Sequence, residues 1–118
     1  MKVTDVPRIA VSRSDSMIAL YQALGLIDPA IDEIKRTARR DEVKGKHVIG
    51  VIPIYTAMAC SFVTFVPIRG FSMDDIDSLS LKELLDICHE PVTYQIKRYG
   101  WFYNMFERRM PKEIKIPE

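Results

Sequence analysis

Residues 47–54, His-Val-Ile-Gly-Val-Ile-Pro-Ile, set apolar side chains at consecutive positions instead of alternate ones. A strand with one wet face would alternate; a run apolar on both faces suits a central parallel strand held between two helix layers. Pro53 has no N–H for the ladder, so the strand must end close to it. The rest of the chain is therefore expected to supply the layers.

It contains the material. Residues 7–13, "PRIAVSR", read as a first strand, and "SMIALYQALGLI" follows with Met17, Leu20, Tyr21 and Leu24 on one helical face. Ser14 or Asp15 can cap that helix, and Gly25 can end it in the left-handed conformation. A short edge strand is expected over 32–37, then a polar connection closed by Gly45. "FVTFVPI" (62–68) is another β-rich run. Too few residues separate it from 47–54 for an ordinary crossover, so a two-turn helix must begin right after Pro53. Ser80-Leu81-Lys82-Glu83 is a capping box opening a helix with Leu81, Leu84, Leu85 and Cys88 on one face, and "PVTYQIKRY" alternates as a final strand. Strands alternating with helices predict an α/β fold: a single small domain over 1–98, with a mostly parallel sheet and helices on both faces. An aromatic C-terminal extension occupies 99–118.

At 118 residues, 47% hydrophobic and 28% charged, the chain suits one globular domain. Seventeen basic against sixteen acidic residues leave a net charge of +1, which points away from long nucleic acid and from membrane surfaces. No apolar stretch approaches membrane-spanning length and the N-terminus has no secretory pattern, so a cytoplasmic location is expected. Cys60 and Cys88 sit among apolar neighbours and read as small hydrophobes. With only His47 and His89 beside them, and no ligand spacing, neither a metal nor a cofactor is expected.

In open α/β sheets, ligands bind beyond the carboxyl ends of the strands, where helix N-termini offer unpaired N–H groups. That rule selects Ser12, Arg13, Ser14, Asp15 and Ser16; Pro53, Ile54, Tyr55 and Thr56; and Arg69 with Gly70. Two arginine forks, hydroxyls and backbone amides suit a phosphate, and Tyr55 suits stacking on a base. No His or Glu lies in these segments, and Asp15 is better placed as a helix cap than as an acid or base. There is no Gly-rich dinucleotide or phosphate loop and no nucleophile elbow. The acidic cluster Asp74, Asp75 and Asp77 matches no cation loop and reads as a solvated loop. Lys35, Arg36, Arg39 and Arg40, interleaved with acids, read as a solvated face.

In their order along the chain, "IAVSRSDSMIALYQALGLID", "KHVIGVIPIYTAMACSFVTFVPI", the Arg69-Gly70 pair and "PVTYQIKR" resemble a family of small CRISPR-associated proteins of Rossmann-like fold from type III systems. The resemblance covers roughly residues 8–98. It implies a Rossmann-like domain that binds cyclic oligoadenylate second messengers as a homodimer, cyclic tetra-adenylate being the favoured ligand, and it leaves open whether the ring is cut. Such proteins are called ring nucleases. On this resemblance Ser12, Arg13 and Ser14 are the catalytic candidates. Ser12, Arg13, Ser14, Ser16, Pro53, Ile54, Tyr55, Thr56, Arg69 and Gly70 are the ligand-binding ones. The chain departs from the family at Ser14, where many relatives are expected to carry His; a protein lacking it would bind without cutting. Cleavage would need no metal: a ligand 2′-hydroxyl attacks its adjacent phosphate, and the protein positions the backbone and stabilises the charge.

The extension gathers Tyr99, Trp101, Phe102, Tyr103 and Phe106 beside Arg98, Arg108 and Arg109. It suits a helix packed on the sheet or across a dimer interface better than a platform for bases. A protein-interaction module, or a small nucleic-acid-binding protein working through this tail, is the alternative reading.

Overall fold

The structure, a computed structural model, describes residues 6–70 and 75–96. The readings made for the 99–118 extension, and for Asp74, fall outside the described residues. Five strands form one sheet: β1 (Arg8–Val11), β2 (Glu33–Lys35), β3 (His47–Ile49), β4 (Phe62–Phe65) and β5 (Val92–Tyr94). Their spatial order is β2-β1-β3-β4-β5. The first four run parallel and β5 is antiparallel to β4, so the sheet is mixed. The helices between them are α1 (Asp15–Ala23), α2 (Arg40–Val43), α3 (Ile54–Ala57) and α4 (Leu81–Ile87), with a 3-10 turn at Ile76–Ser78.

Alternation along the strands sorts the core onto two faces. Ala10 and Ile49 point to one side, where Met17, Leu20 and Tyr21 of α1, Ile76 of the 3-10 turn and Leu84 of α4 cover them. Ile9, Val11, Val48 and Val63 point to the other, under Val43 of α2, Ala57 of α3 and Cys60. The α/β expectation is met in this form, with helices on both faces of a sheet that is parallel in four strands.

Local signals account for α1 well. The Ser14 hydroxyl accepts from the Met17 N–H at 3.2 Å, and Gly25, at φ +75°, turns the chain out past the last turn. The capping box at α4 is also present, with Glu83 N–H donating to the Ser80 hydroxyl and Ser80 N–H to the Glu83 carboxylate, both at 3.2 Å.

Three expectations need correction. The 47–54 run is strand only as far as Ile49; Val51 and Ile54 lie exposed, because Gly50 at φ +142° turns the chain out of the sheet. The polar connection before Gly45 contains α2, whose Glu42 carboxylate accepts from the Arg39 N–H at 2.9 Å and also binds Lys35. On α4 only Leu84 reaches the core, Leu81 and Leu85 being exposed, since one turn of a seven-residue helix touches the sheet. Among the described residues no helix is long and apolar enough to cross a membrane.

Candidate functional site

β1 lies between β2 and β3, and the chain leaves β1 and β3 over opposite faces: α1 covers one side and α3 the other. A crevice opens between two such strands at their carboxyl ends, because no helix crosses above it. Here it is a cavity of about 450 Å³. Its walls are Val11 to Arg13 after β1, Arg36 to Ala38 after β2, and Val51 to Pro53 with Thr56 after β3; Tyr21 of α1 reaches it as well. β3 comes very close to β1 here. A side chain on Gly50 would run into the Val11 carbonyl oxygen, far inside van der Waals contact.

The charged groups that line the cavity among the described residues are two guanidiniums. Arg36 Nη2 donates to the Arg13 backbone carbonyl at 3.3 Å, which brings the end of β2 against the loop after β1. Neither guanidinium has a carboxylate within ion-pair distance among the described residues. Thr37 and Thr56 line the same space. The Ser12 hydroxyl accepts from the Ser14 N–H at 3.1 Å and shapes the loop that carries Arg13. Among the described residues the lining holds no His, Cys, Asp or Glu. Burial pushes the Tyr21 phenol up to about 12, so it stays protonated and cannot act as a base near neutrality. Arranged this way, the cavity can hold and neutralise an anion, and its described lining offers no group suited to taking up a proton.

Ser14 and Ser16 stand elsewhere. Ser14 is 6% exposed, and its hydroxyl donates to Asp77 Oδ1 at 2.5 Å while capping α1. The Ser14 hydroxyl, then the Ser16 hydroxyl and N–H, with Arg36 nearby, hold the Asp77 carboxyl below its usual range. A carboxylate of the chain's own thus sits at the α1 N-terminus, where the sequence pattern suggested a ligand phosphate. Asp77, read from sequence as part of a solvated loop, is a fixed negative charge beside the cavity.

Of the predicted residues, Ser12, Arg13, Pro53 and Thr56 come together around the cavity. Ile54 and Tyr55 are in the same turn of chain but lie exposed on the outer side of α3, where the Arg40 guanidinium covers the Tyr55 ring at 4.1 Å. Arg69 and Gly70 are exposed at the end of α4, tied there by the Arg69 N–H to the Ile87 carbonyl (3.1 Å) and by the Ile68–Cys88 bridge; they do not line the cavity.

Arg36 and Thr37 were missed. The signal was available: they follow β2, the strand beside β1, and so obey the same carboxyl-end rule as Arg13. The basic patch of which Arg36 was read as part divides by function. Lys35 pairs with Glu42 and Glu33, Arg39 with Asp41 and Glu42, and Arg40 lies on Tyr55, while Arg36 is the member of the patch that lines the cavity. Among the described residues no group of three or more His, Cys, Asp or Glu is placed to hold a metal ion. No family model, curated protein or solved structure matches the chain, so the site is read from its own geometry.

Proposed function

We propose that the protein binds a cyclic oligoadenylate, with a phosphodiester in the cavity between Arg13 and Arg36, as a homodimer with a Rossmann-like domain serving type III CRISPR antiviral signalling. The observation that carries this reading is the pair of guanidiniums at the β1/β3 crevice, both without a carboxylate partner among the described residues. Arginine forks match phosphate oxygens two at a time, and an anion between them would meet the donors that the fold leaves free. Thr37 and Thr56 add hydroxyl donors to the same anion. The family resemblance of residues 8–98 supplies the identity of the ligand, and the two-fold symmetry of the ring supplies the reason for two copies.

Binding is the primary activity in this reading. Among the described residues the lining supplies charge and position but no acid or base, and Ser14 is committed to Asp77 and to capping α1. Any opening of the ring would run through the ligand's own 2′-oxygen. It forms the new P–O bond, the P–O5′ bond breaks, the 2′-hydroxyl proton goes to water and the 5′-oxygen takes one up. Cleavage is therefore expected to be slow or absent beside binding.

The test incubates radiolabelled cyclic tetra-adenylate with the purified protein, with and without EDTA, and follows both gel shift and products. A shift is expected, removed by Arg13→Ala and by Arg36→Ala, with little or no linear product in either condition. No shift with the cyclic tri-, tetra- or hexa-adenylate would sink the reading in favour of an interaction module.

A further inference from the structure

The turn of chain that walls the cavity also carries an aromatic side chain on its outer side. Pro53 and Thr56 face the cavity, and Tyr55 lies between them in sequence with 68% of its surface exposed. Its ring is nevertheless held in place. The Arg40 guanidinium lies over one face, with its carbon 4.1 Å from the ring centroid. Arg40 has Asp41 and Glu42 as chain neighbours in α2, yet its guanidinium pairs with neither. It comes to rest on the tyrosine, where a guanidinium gains a cation–π contact.

The pair has one covered face and one open face. The Tyr55 hydroxyl has no hydrogen-bond partner among the described residues, and Ile54, its chain neighbour, and Val51, four positions earlier, are exposed as well, at 72% and 68%. An exposed ring, backed by a cation and flanked by apolar side chains, meets the requirements of a stacking surface for a flat heterocycle. Its place along the chain sets the kind of ligand. A base on the sugar adjoining a phosphate held between Arg13 and Arg36 would meet this ring by reaching over the Pro53–Thr56 turn, two of whose residues line the cavity.

We propose that Tyr55, backed by Arg40, is the base-stacking subsite of this protein, taking a purine whose phosphate is held in the adjoining cavity. The proposal rests on the phosphate reading of the cavity and adds the part of the ligand that inorganic phosphate lacks. Arg40 is a positioning residue: it fixes the ring and does not touch the anion.

The two parts are separated by a pair of probes with the same phosphate, adenosine 5′-monophosphate and ribose 5-phosphate, titrated into the full chain by NMR. The wild-type protein is expected to bind the nucleotide roughly fivefold or more tightly than the sugar phosphate, as one stacked base would provide. Tyr55→Ala should reduce the nucleotide to the affinity of the sugar phosphate and leave the latter unchanged. Tyr55→Phe should preserve the preference, and Arg40→Ala should lose part of it. Because Tyr55 is largely exposed, its truncation is not expected to unfold the chain, and unchanged amide spectra check this. Equal binding of both probes by the wild type, or a preference that survives Tyr55→Ala, would overturn the stacking subsite while leaving the phosphate site standing. Binding of neither probe would overturn both. A loss of both probes in Arg13→Ala but not in Tyr55→Ala is the pattern that supports the two together.

Discussion

Arg8 and Arg13 stand at the two ends of one short strand, and their surroundings are opposite. Arg8, where β1 begins, donates to the Leu26 carbonyl at 3.0 Å and pairs with Asp32 at 2.8 Å. Asp32 in turn accepts from the Asp28 N–H at 2.7 Å, so the arginine ties the loop after α1 to the sheet. Arg13, just past the end of β1, has no such acceptor among the described residues, and Arg36 only leans on its carbonyl. From the amino end of β3 the buried His47 also reaches across the sheet, Nε2 to the buried Thr64 Oγ1 (2.6 Å), which continues to Thr93 Oγ1 on β5 (2.7 Å). The same residue type thus serves architecture at one end and is left available at the other. What separates them is the topology: helices and loops return over the amino ends, and the crevice opens at the carboxyl ends.

The largest expected effect lies in the crossing that makes the crevice. Gly50→Ala puts a methyl group against the Val11 carbonyl at a backbone angle that side chains avoid, and should cost about 3 kcal/mol or more in urea unfolding. A wild-type midpoint would mean that β3 does not pass so close to β1. The two ends of β1 can then be set against each other directly. Arg13→Ala with Arg36→Ala should weaken cyclic tetra-adenylate binding by about a hundredfold, as the loss of two charge-assisted contacts would, without moving the unfolding midpoint. Arg8→Ala should do the reverse, costing about 1–2 kcal/mol of stability and leaving affinity within a factor of two or so. If the double variant unfolds the chain, or Arg8→Ala destroys binding, the division between the ends is wrong.

The amino end carries a pH signature as well. His47 is buried, and burial first, with the nearby Arg8 charge second, holds its pKa below the ordinary value. Its Nδ1 has no hydrogen-bond partner among the described residues. A neutral ring therefore folds more easily than a charged one. Stability from this group is complete above the unfolded pKa near 6.5, and is lost as pH falls below that value toward the folded pKa, because the unfolded chain then binds the proton first. Urea midpoints at pH 7.5 and 5.0 should show a decline that is shallower in His47→Gln, the difference in slope being at most about 1.4 kcal/mol per pH unit. Identical slopes would mean that His47 protonates in place, with water reaching it.

Features that depend on near neighbours in the chain were legible in the sequence. The Ser14 cap, the face of Met17, Leu20 and Tyr21, Gly25 and the Ser80–Glu83 box all appear where the pattern puts them. The antiparallel sense of β5 was not legible, because alternation records which face a residue takes and not the direction of the strand. Nor was α2, a four-residue helix in a charged segment whose Glu42 owes its place partly to Lys35 on β2, a contact that also draws the Glu42 carboxyl down to about 2. At the site, the loop after β1 and the Pro53–Thr56 turn followed from the carboxyl-end rule. Arg36 escaped because its strand was read as an edge and its neighbours as solvated, although edge strands end at the same rim. Asp77 escaped because it reaches Ser14 across 63 positions of chain, a distance over which no periodicity speaks.

That last contact provides the smallest effect and the finest test of how open the carboxyl end is. Asp77 lies near Arg36, and it occupies the amides and hydroxyls at the start of α1, so its charge opposes any anion in the cavity. Its pKa is held below the ordinary carboxylate value by the Ser14 hydroxyl before any other cause, so it is ionised throughout the neutral range. Asn keeps an oxygen that can still accept from Ser14 while losing the charge. Asp77→Asn should therefore raise oligoadenylate affinity by a few-fold, and the gain should shrink as salt is added, since the group is exposed and screened. A fall in affinity instead would mean that the Asp77 charge holds Arg36 in its working position, making the carboxylate part of the site. No change at low salt would place it outside the reach of the ligand and leave Arg13 and Arg36 as the charges that matter. In the expected case, the carboxylate of Asp77, close to Arg36 at this end of the sheet, braces the start of α1 and weakens the site, whereas Asp32 at the other end completes its arginine.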